Sequence, residues 1–141
     1  MKSIFNPGKY PENINLVLFL LRLTVGIFML THGLGKMSKL FGEEEIKFAD
    51  PLGLGASTSL ALVVFAEVFC SILLILGLFT RLAAIPLLIN FLVISLIVHG
   101  KSKFGDMELP LLYAVIYLVL LLSGSGRNSI DYLIYNSISK K

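Results

Sequence analysis

The chain has 141 residues, of which 56% are hydrophobic and 15% are charged, and its formal net charge is +3. A soluble domain has about half its residues apolar and about a quarter charged, so this composition favours an integral membrane protein over an unusually apolar soluble bundle. The Lys and Arg residues lie mostly in loops and tails without an interleaved aromatic face, which predicts contact with lipid head groups and no nucleic-acid partner. The single cysteine, Cys70, excludes an internal disulfide and a CxxC redox pair.

The first long apolar segment is predicted to span the membrane over residues 14–36. Its central sequence, LVLFLLRLTVGIFMLTHGLGK, is long enough as a helix to cross a bilayer. Arg22 is the one charge near its middle, and such a charge nearly always faces protein or water. We expect a retained transmembrane helix and not a cleaved signal peptide, because the segment is long and contains Arg22. Gly26 and Gly33 share a helical stripe with Arg22, which predicts close packing of this stripe on a neighbouring helix.

Three further apolar segments are predicted to span the membrane, at residues 57–79, 81–99 and 108–125. The tail, residues 126–141, places apolar side chains at helical spacing, which predicts an amphipathic helix on the membrane surface. These side chains are Ile130, Leu133, Ile134 and Ile138. Because the connections are short, we expect an all-α fold in a single domain over residues 1–141: an antiparallel four-helix integral membrane bundle with a C-terminal amphipathic surface helix.

An even number of spans places both termini on the same side of the membrane. The side with the termini carries six basic residues: Lys2, Lys9, Arg81, Arg127, Lys140 and Lys141. The opposite side carries five: Lys36, Lys39, Lys47, Lys101 and Lys103. Since the turn at Arg81 is short and basic and the longer loops hold most of the acidic residues, we expect both termini in the cytoplasm. In a prokaryote this places the protein in the inner membrane.

Each predicted span brings one polar side chain to about the same depth, which defines a candidate buried polar cluster. Its members are Arg22, Glu67, Asn90 and Tyr117. Arg22 and Glu67 have opposite charges and each is costly alone in a membrane, so we expect the two in direct contact or bridged by one water. Two interpretations stay open: a polar lock that determines how the helices align, or a site for a proton or a ligand.

A second group of polar residues lies at one end of the predicted bundle, on the side of the long loop. It consists of His32, Lys36, His99 and Glu108. Two imidazoles, an ammonium and a carboxylate near one interface suit a quinone head group, an anion or a proton relay. The alternative is that these are ordinary helix-end residues. Two histidines make a poor metal site, so we expect no metal, and haem ligation by His32 and His99 is the weaker alternative.

Three segments of the chain resemble the DoxX family of small membrane proteins. They read LRLTVGIFMLTHGLGK, AEVFCSILLILGLFTRLAAIPL and GDMELPLLYAVIYLVLLLSGSGRNSID, and the resemblance extends from about Leu16 to Tyr132. The matching residues are Arg22, Gly26, Gly33, Lys36, Glu67, Gly77, Arg81, Glu108, Gly124, Gly126 and Asp131. The resemblance implies a four-helix integral membrane fold. It also implies association with quinone-linked redox chemistry, in which a separate partner subunit takes part.

Two functions follow as hypotheses. The first is a redox-associated subunit that binds a quinone, the one candidate cofactor, and works with a partner oxidoreductase or a larger membrane complex. The second is a non-catalytic scaffold or assembly subunit, or a carrier of a small lipophile. The sequence contains no flavin or nicotinamide fingerprint and no nucleophile with an evident base, which argues against a self-contained enzyme. A homo-oligomer is compatible with both hypotheses.

Overall fold

The computed structural model describes residues 5–139, and all the regular secondary structure within that range is helical. Four long helices and one short helix follow one another: α1 (Glu12–Leu40), α2 (Ala56–Leu76), α3 (Thr80–Val98), α4 (Phe104–Ser123) and α5 (Ile130–Ser139). The first four are long and apolar enough to cross a membrane. The all-α class and the four spans are therefore confirmed, with α5 as the C-terminal helix. Lys2, Lys140 and Lys141, which entered the charge comparison, lie outside the described residues.

Two of the helices extend beyond their apolar segments into neighbouring polar residues. α1 runs to Leu40, beyond the predicted limit at residue 36, and α4 begins at Phe104 instead of residue 108. Lys39 lies in the last turn of α1 and Asp106 in the first turn of α4, where each charge complements the helix dipole. Helical hydrogen bonds do not need apolar side chains, so hydropathy underestimates these two helices.

Two glycines allow α1 to approach α2 closely. A Cβ atom at Gly26 would lie 2.6 Å from Ile75 Cγ1, and one at Gly33 would lie 3.0 Å from Glu67 Cβ. Since the later residue of α1 meets the earlier residue of α2, the two helices are antiparallel. The predicted glycine stripe is thus the contact surface between α1 and α2, as small residues in membrane helices permit.

The outer faces of the long helices are apolar. Large side chains with half or more of their surface exposed occur on all four: Leu20, Phe28, Leu62, Phe69, Leu96 and Leu112. Buried side chains such as Leu74, Leu87 and Leu120 fill the centre of the bundle. Helices that are apolar on the surface facing the bundle centre and also on the outward surface are typical of membrane spans. The protein is an integral membrane protein whose outer surface contacts lipid.

The chain after α4 folds back onto the end of the bundle at which α1 begins, here called the terminal face. Gly124 and Gly126 have positive φ angles of 84° and 73°, which glycine adopts without strain. The Gly126 N–H donates to the Pro7 carbonyl at 2.9 Å. Asp131 accepts hydrogen bonds from the Phe79 and Thr80 N–H groups at 2.7 and 3.0 Å, and so caps the start of α3. The opposite end, which carries the 41–55 connection, is the loop face.

Candidate functional site

A buried ion pair joins α1 to α2 near the loop face. Lys36 Nζ lies 2.5 Å from Glu67 Oε1, with 29% of the lysine side chain and 2% of the glutamate side chain exposed. Asn90 on α3 donates from Nδ2 to the same carboxylate oxygen at 3.1 Å. Hydrogen bonds to an ionised carboxylate are roughly twice as strong as neutral ones. Three helices therefore converge on one oxygen atom, and we call this group the Lys36–Glu67–Asn90 cluster.

The local structure of α1 and α2 positions this cluster. Glu67 lies in a π-helical segment, Phe65–Cys70, within α2. Such segments are rare and are frequent at functional sites. Gly33 lies directly against Glu67, and Lys36 follows one helical turn later on the same face of α1. The glycine contact thus brings the helices close enough for Lys36 to reach the carboxylate.

The second carboxylate oxygen of Glu67 is buried and is not used. Oε2 accepts no hydrogen bond from any residue in the range 5–139. Leaving a buried acceptor without a donor typically costs about 1–3 kcal/mol. Among the described residues this oxygen therefore remains a buried acceptor without a donor.

An apolar cavity of about 440 Å³ reaches this cluster. It lies between α2 and α3 and is closed on one side by residues of the 41–55 connection. Leu62, Phe65, Ile89, Phe48 and Leu52 are among its apolar lining residues. Its polar lining side chains are Lys36, Ser59 and Asn90. Apolar walls with a few convergent polar groups are typical of small-molecule sites of this size.

Asp50 holds the connection that forms one wall of the cavity. Its carboxylate accepts hydrogen bonds from the Ser59 hydroxyl at 2.8 Å, the Leu54 N–H at 2.9 Å and the Gly55 N–H at 2.7 Å. The Ser59 hydroxyl, followed by the Gly55 N–H, lowers the pKa of Asp50 below its ordinary value. Sequence reasoning missed this role. An Asp-Pro pair followed by glycines and a helix start was the available signal.

Arg22 is not part of the cluster, and the prediction that it contacts Glu67 is wrong. Its side chain is buried, and Nη2 donates to the Asn128 carbonyl at 2.6 Å in the folded-back segment. Arg22 precedes Gly33, which contacts Glu67, by 11 positions. That separation corresponds to about 16 Å along α1. The guanidinium instead packs against Gly77, where a Cβ atom would overlap Nη1.

The other two members of the predicted buried polar cluster have different surroundings. Asn90 joins Glu67, as described above. Tyr117 is fully buried and lies in an aromatic stack, with ring centroids 5.7 Å from Phe91 and 6.3 Å from Tyr113. Within residues 5–139 its hydroxyl has no hydrogen-bond partner. The structure thus joins Glu67 with Asn90, places Tyr117 in the aromatic core and places Arg22 near the terminal face.

The predicted group at the loop face is joined less closely. Lys36 turns inward to Glu67, whereas His32 and Glu108 are exposed and His99 is half-buried. None of these three side chains forms an ion pair or a hydrogen bond with another member in the described part of the chain, and none lines the cavity. A shared role for them stays a prediction. Among residues 5–139, no group of three or more His, Cys, Asp or Glu residues could hold a metal ion.

Comparison with known proteins gives the family. The sequence model of the DoxX family matches residues 17–100. One protein of Haemophilus influenzae strain Rd is 33% identical over 119 residues, which cover 79% of this chain and 85% of the relative. A second protein of that strain is 32% identical over 99 residues, which cover 67% of this chain and 66% of the relative. Both carry the name "uncharacterized protein", so they supply no activity.

No solved structure matches the chain significantly. The match over more than half of the chain confirms the resemblance seen in its residues: this protein belongs to the DoxX family.

Proposed function

We propose that this protein binds a small lipophile with a carbonyl-bearing head group, of the quinone type, in the cavity between α2 and α3. In this proposal the protein is a membrane subunit that works with a partner oxidoreductase. The observation that carries the proposal is the meeting of an apolar cavity of about 440 Å³ with a buried ion pair. Apolar rings and tails suit the walls, and a polar head suits the cluster.

The polar groups of the cluster match the acceptors of such a head group. Lys36 Nζ and Asn90 Nδ2 both line the cavity, and both are hydrogen-bond donors. Each donates to Glu67 Oε1, so the carboxylate keeps them oriented when the cavity holds no ligand. A quinone bound there would supply two-electron redox chemistry. The residues of this chain would bind and orient the carbonyl oxygens, and Lys36 would hold a proton beside one of them.

A partner is part of the proposal because the sequence offers no electron carrier of its own. It has one cysteine, Cys70, which is buried, and no nucleotide-binding fingerprint. We further propose that the protein lies in the inner membrane of a prokaryote with both termini in the cytoplasm. The short basic turn at Arg81 supports this orientation.

A non-catalytic role is the second candidate. The cavity walls are almost wholly apolar, and this favours the carriage of a lipophile without electron transfer. A scaffold or assembly subunit would use the same bundle without any ligand. Both alternatives make the Lys36–Glu67–Asn90 cluster a structural feature only.

Extraction of bound molecules separates these candidates. The protein is purified in mild detergent, and its extract is analysed by liquid chromatography and mass spectrometry. Quinone in a near-stoichiometric amount supports the proposal, whereas phospholipid alone contradicts it. Binding of a short-chain quinone is then measured with Asn90→Leu and with the double variant Lys36→Met/Glu67→Gln, which leaves no lone buried charge.

The matched control is the exposed ion pair Lys47→Met/Glu45→Gln, which changes the same residue types at side chains that are each 85% exposed and do not line the cavity. We expect the two cluster variants to bind the quinone at least tenfold more weakly and the control to bind it normally. Equal binding by all variants would remove the cluster from the site. Size-exclusion profiles show whether each variant is folded.

A further inference from the structure

The terminal face contains a second cavity, separate from the one described above. Its volume is about 590 Å³, and it lies between the segment that precedes α1 and helix α5. Two cations and three phenols line it: Lys9, Arg127, Tyr10, Tyr132 and Tyr135. None of its lining residues is acidic. The cavity is therefore polar and positively charged, unlike the apolar cavity near the loop face.

The walls of this cavity are held together by contacts between segments that are distant in sequence. The Tyr10 hydroxyl donates to the Ser123 carbonyl at 3.1 Å. The Arg127 N–H donates to Asn15 Oδ1 at 2.9 Å, so the backbone beside this cation is anchored to α1. The bond between Gly126 and Pro7 closes the same junction. These hydrogen bonds thus hold in place the backbone segments that carry Lys9 and Arg127.

The charges of Lys9 and Arg127 are not neutralised within the described residues. Neither side chain forms a salt bridge in the range 5–139. Asp131 lies nearby in the first turn of α5, but it is buried, and both its oxygens accept backbone hydrogen bonds from the start of α3. The cavity is consequently suited to an external anion.

The chemistry of the lining indicates which anion. A guanidinium presents a planar set of donors that matches phosphate oxygens, and an ammonium acts as a compact second charge. The Tyr132 and Tyr135 hydroxyls are further donors, and tyrosine is enriched where a membrane meets water. Together these side chains match a phosphate diester or monoester.

The position of the cavity indicates where that phosphate comes from. α5 exposes 67% of Leu133 on its outer side, and α1 enters the apolar region of the bundle directly after Pro11. A cavity between α5 and the segment that precedes α1 lies at the depth of lipid head groups. We propose that it binds the phosphate of an anionic phospholipid head group, as a site distinct from the lipophile cavity.

Native mass spectrometry of the delipidated full-length protein tests this proposal. Phosphatidylglycerol and phosphatidylcholine of equal chain length are added in separate titrations. A basic residue near a membrane surface is worth about 1 kcal/mol toward anionic lipid, which is about fivefold in affinity. We therefore expect Lys9→Gln and Arg127→Gln each to weaken phosphatidylglycerol binding about fivefold.

The control is Lys101→Gln/Lys103→Gln, which removes two exposed cations from the α3–α4 connection. It should bind phosphatidylglycerol as the wild type does, while Lys9→Gln/Arg127→Gln should lose the preference over phosphatidylcholine. Equal binding of the two lipids to the wild type would overturn the proposal, as would equal losses in the two double variants. A third titration with inorganic phosphate identifies the source of the anion. Full competition at low millimolar phosphate would overturn the assignment to a lipid.

Discussion

Lys36 and Glu67 form an ion pair across the α1–α2 contact, with Nζ and Oε1 separated by 2.5 Å. The pair exists because Gly33 lets the two helices approach at Glu67. Removing one partner of a buried pair leaves the other charge without compensation, which costs about 3–5 kcal/mol. The Glu67 side chain is only 2% exposed and lies in a membrane-spanning helix. An uncompensated charge on it is therefore especially costly.

Lys36→Met should therefore destabilise the protein by about 3 kcal/mol, near the lower limit because Lys36 itself is partly exposed. Unfolding by denaturant in detergent micelles measures the change. Lys36→Met/Glu67→Met should recover most of the loss, because no isolated charge remains. The matched control, Lys39→Met, alters an exposed lysine in the last turn of the same helix and should cost no more than about 1 kcal/mol, the contribution of a cation at a helix C-terminus. Full stability of the single Lys36 variant would contradict a structural role for the pair.

Gly77→Ala should destabilise the protein more than either of two matched glycine variants. Gly77 has φ +66°, and a Cβ there would overlap the Arg22 guanidinium. The left-handed backbone alone costs an alanine about 1–2 kcal/mol. Gly53→Ala has the same backbone cost at φ +70° in open space, and Gly35→Ala meets nothing within 4 Å in α1.

The expected order of thermal stability in detergent is Gly35→Ala, then Gly53→Ala, then Gly77→Ala. The Gly35 variant should equal or exceed the wild type, because alanine favours a helix more than glycine does. The difference between the Gly53 and Gly77 variants measures the clash with Arg22. If these two variants melt together, Arg22 does not pack against Gly77.

Acidification should loosen the 41–55 connection, which forms one wall of the cavity between α2 and α3. The hydrogen bonds from Ser59 and Gly55 lower the pKa of Asp50 in the folded protein. Because the pKa of Asp50 is lower in the folded protein, the ionised carboxylate contributes to stability. This contribution is complete above the unfolded-state pKa of about 3.9. It is lost as the pH falls through the lower folded-state value.

Hydrogen exchange read by mass spectrometry tests this at the Leu54 and Gly55 amides, which donate to Asp50. Amide protection, corrected for the intrinsic effect of pH on exchange, should decrease as the pH falls below the unfolded-state pKa of about 3.9. Asp50→Asn should show weak protection at every pH. Glu44→Gln, an exposed change in the same connection, should retain the wild-type profile. A pH-independent protection in the wild type would show that Asp50 does not hold this wall.

Reporter fusions test the proposed topology. A reporter after Glu44, between α1 and α2, should lie on the opposite side of the membrane from one after Ser139, at the end of α5. A third fusion after Ser102, between α3 and α4, should agree with the Glu44 fusion. We expect the Ser139 fusion to report the cytoplasm. Agreement between the Glu44 and Ser139 fusions would contradict four spans.

The number and approximate position of the helices followed from the amino-acid sequence alone. A membrane span needs a long apolar run because its backbone can satisfy its hydrogen bonds only internally, and this requirement is local. The α1 stripe that contains Gly26 and Gly33 was recognisable for the same reason, since helical spacing determines which residues share a face. The family could be recognised from the same segments.

The partners of the charged residues were decided only by the tertiary structure. Assigning Arg22 and Glu67 to one depth assumed that the middles of two apolar segments coincide. The actual alignment of α1 with α2 follows from the packing at Gly33, which brings Lys36 and not Arg22 to the carboxylate. A long lysine side chain can extend inward from a helix end, and no hydropathy profile contains that information.

The Asp131 cap and both cavities have the same origin. Asp131 caps α3 from 51 positions away along the chain, and Lys9 and Arg127 come together only because the chain folds back at Gly124 and Gly126. The sequence by itself determined where the chain is helical and apolar, because those properties depend on neighbouring residues. The folded structure alone decided which polar groups meet, because that depends on how the helices align and on contacts between distant segments.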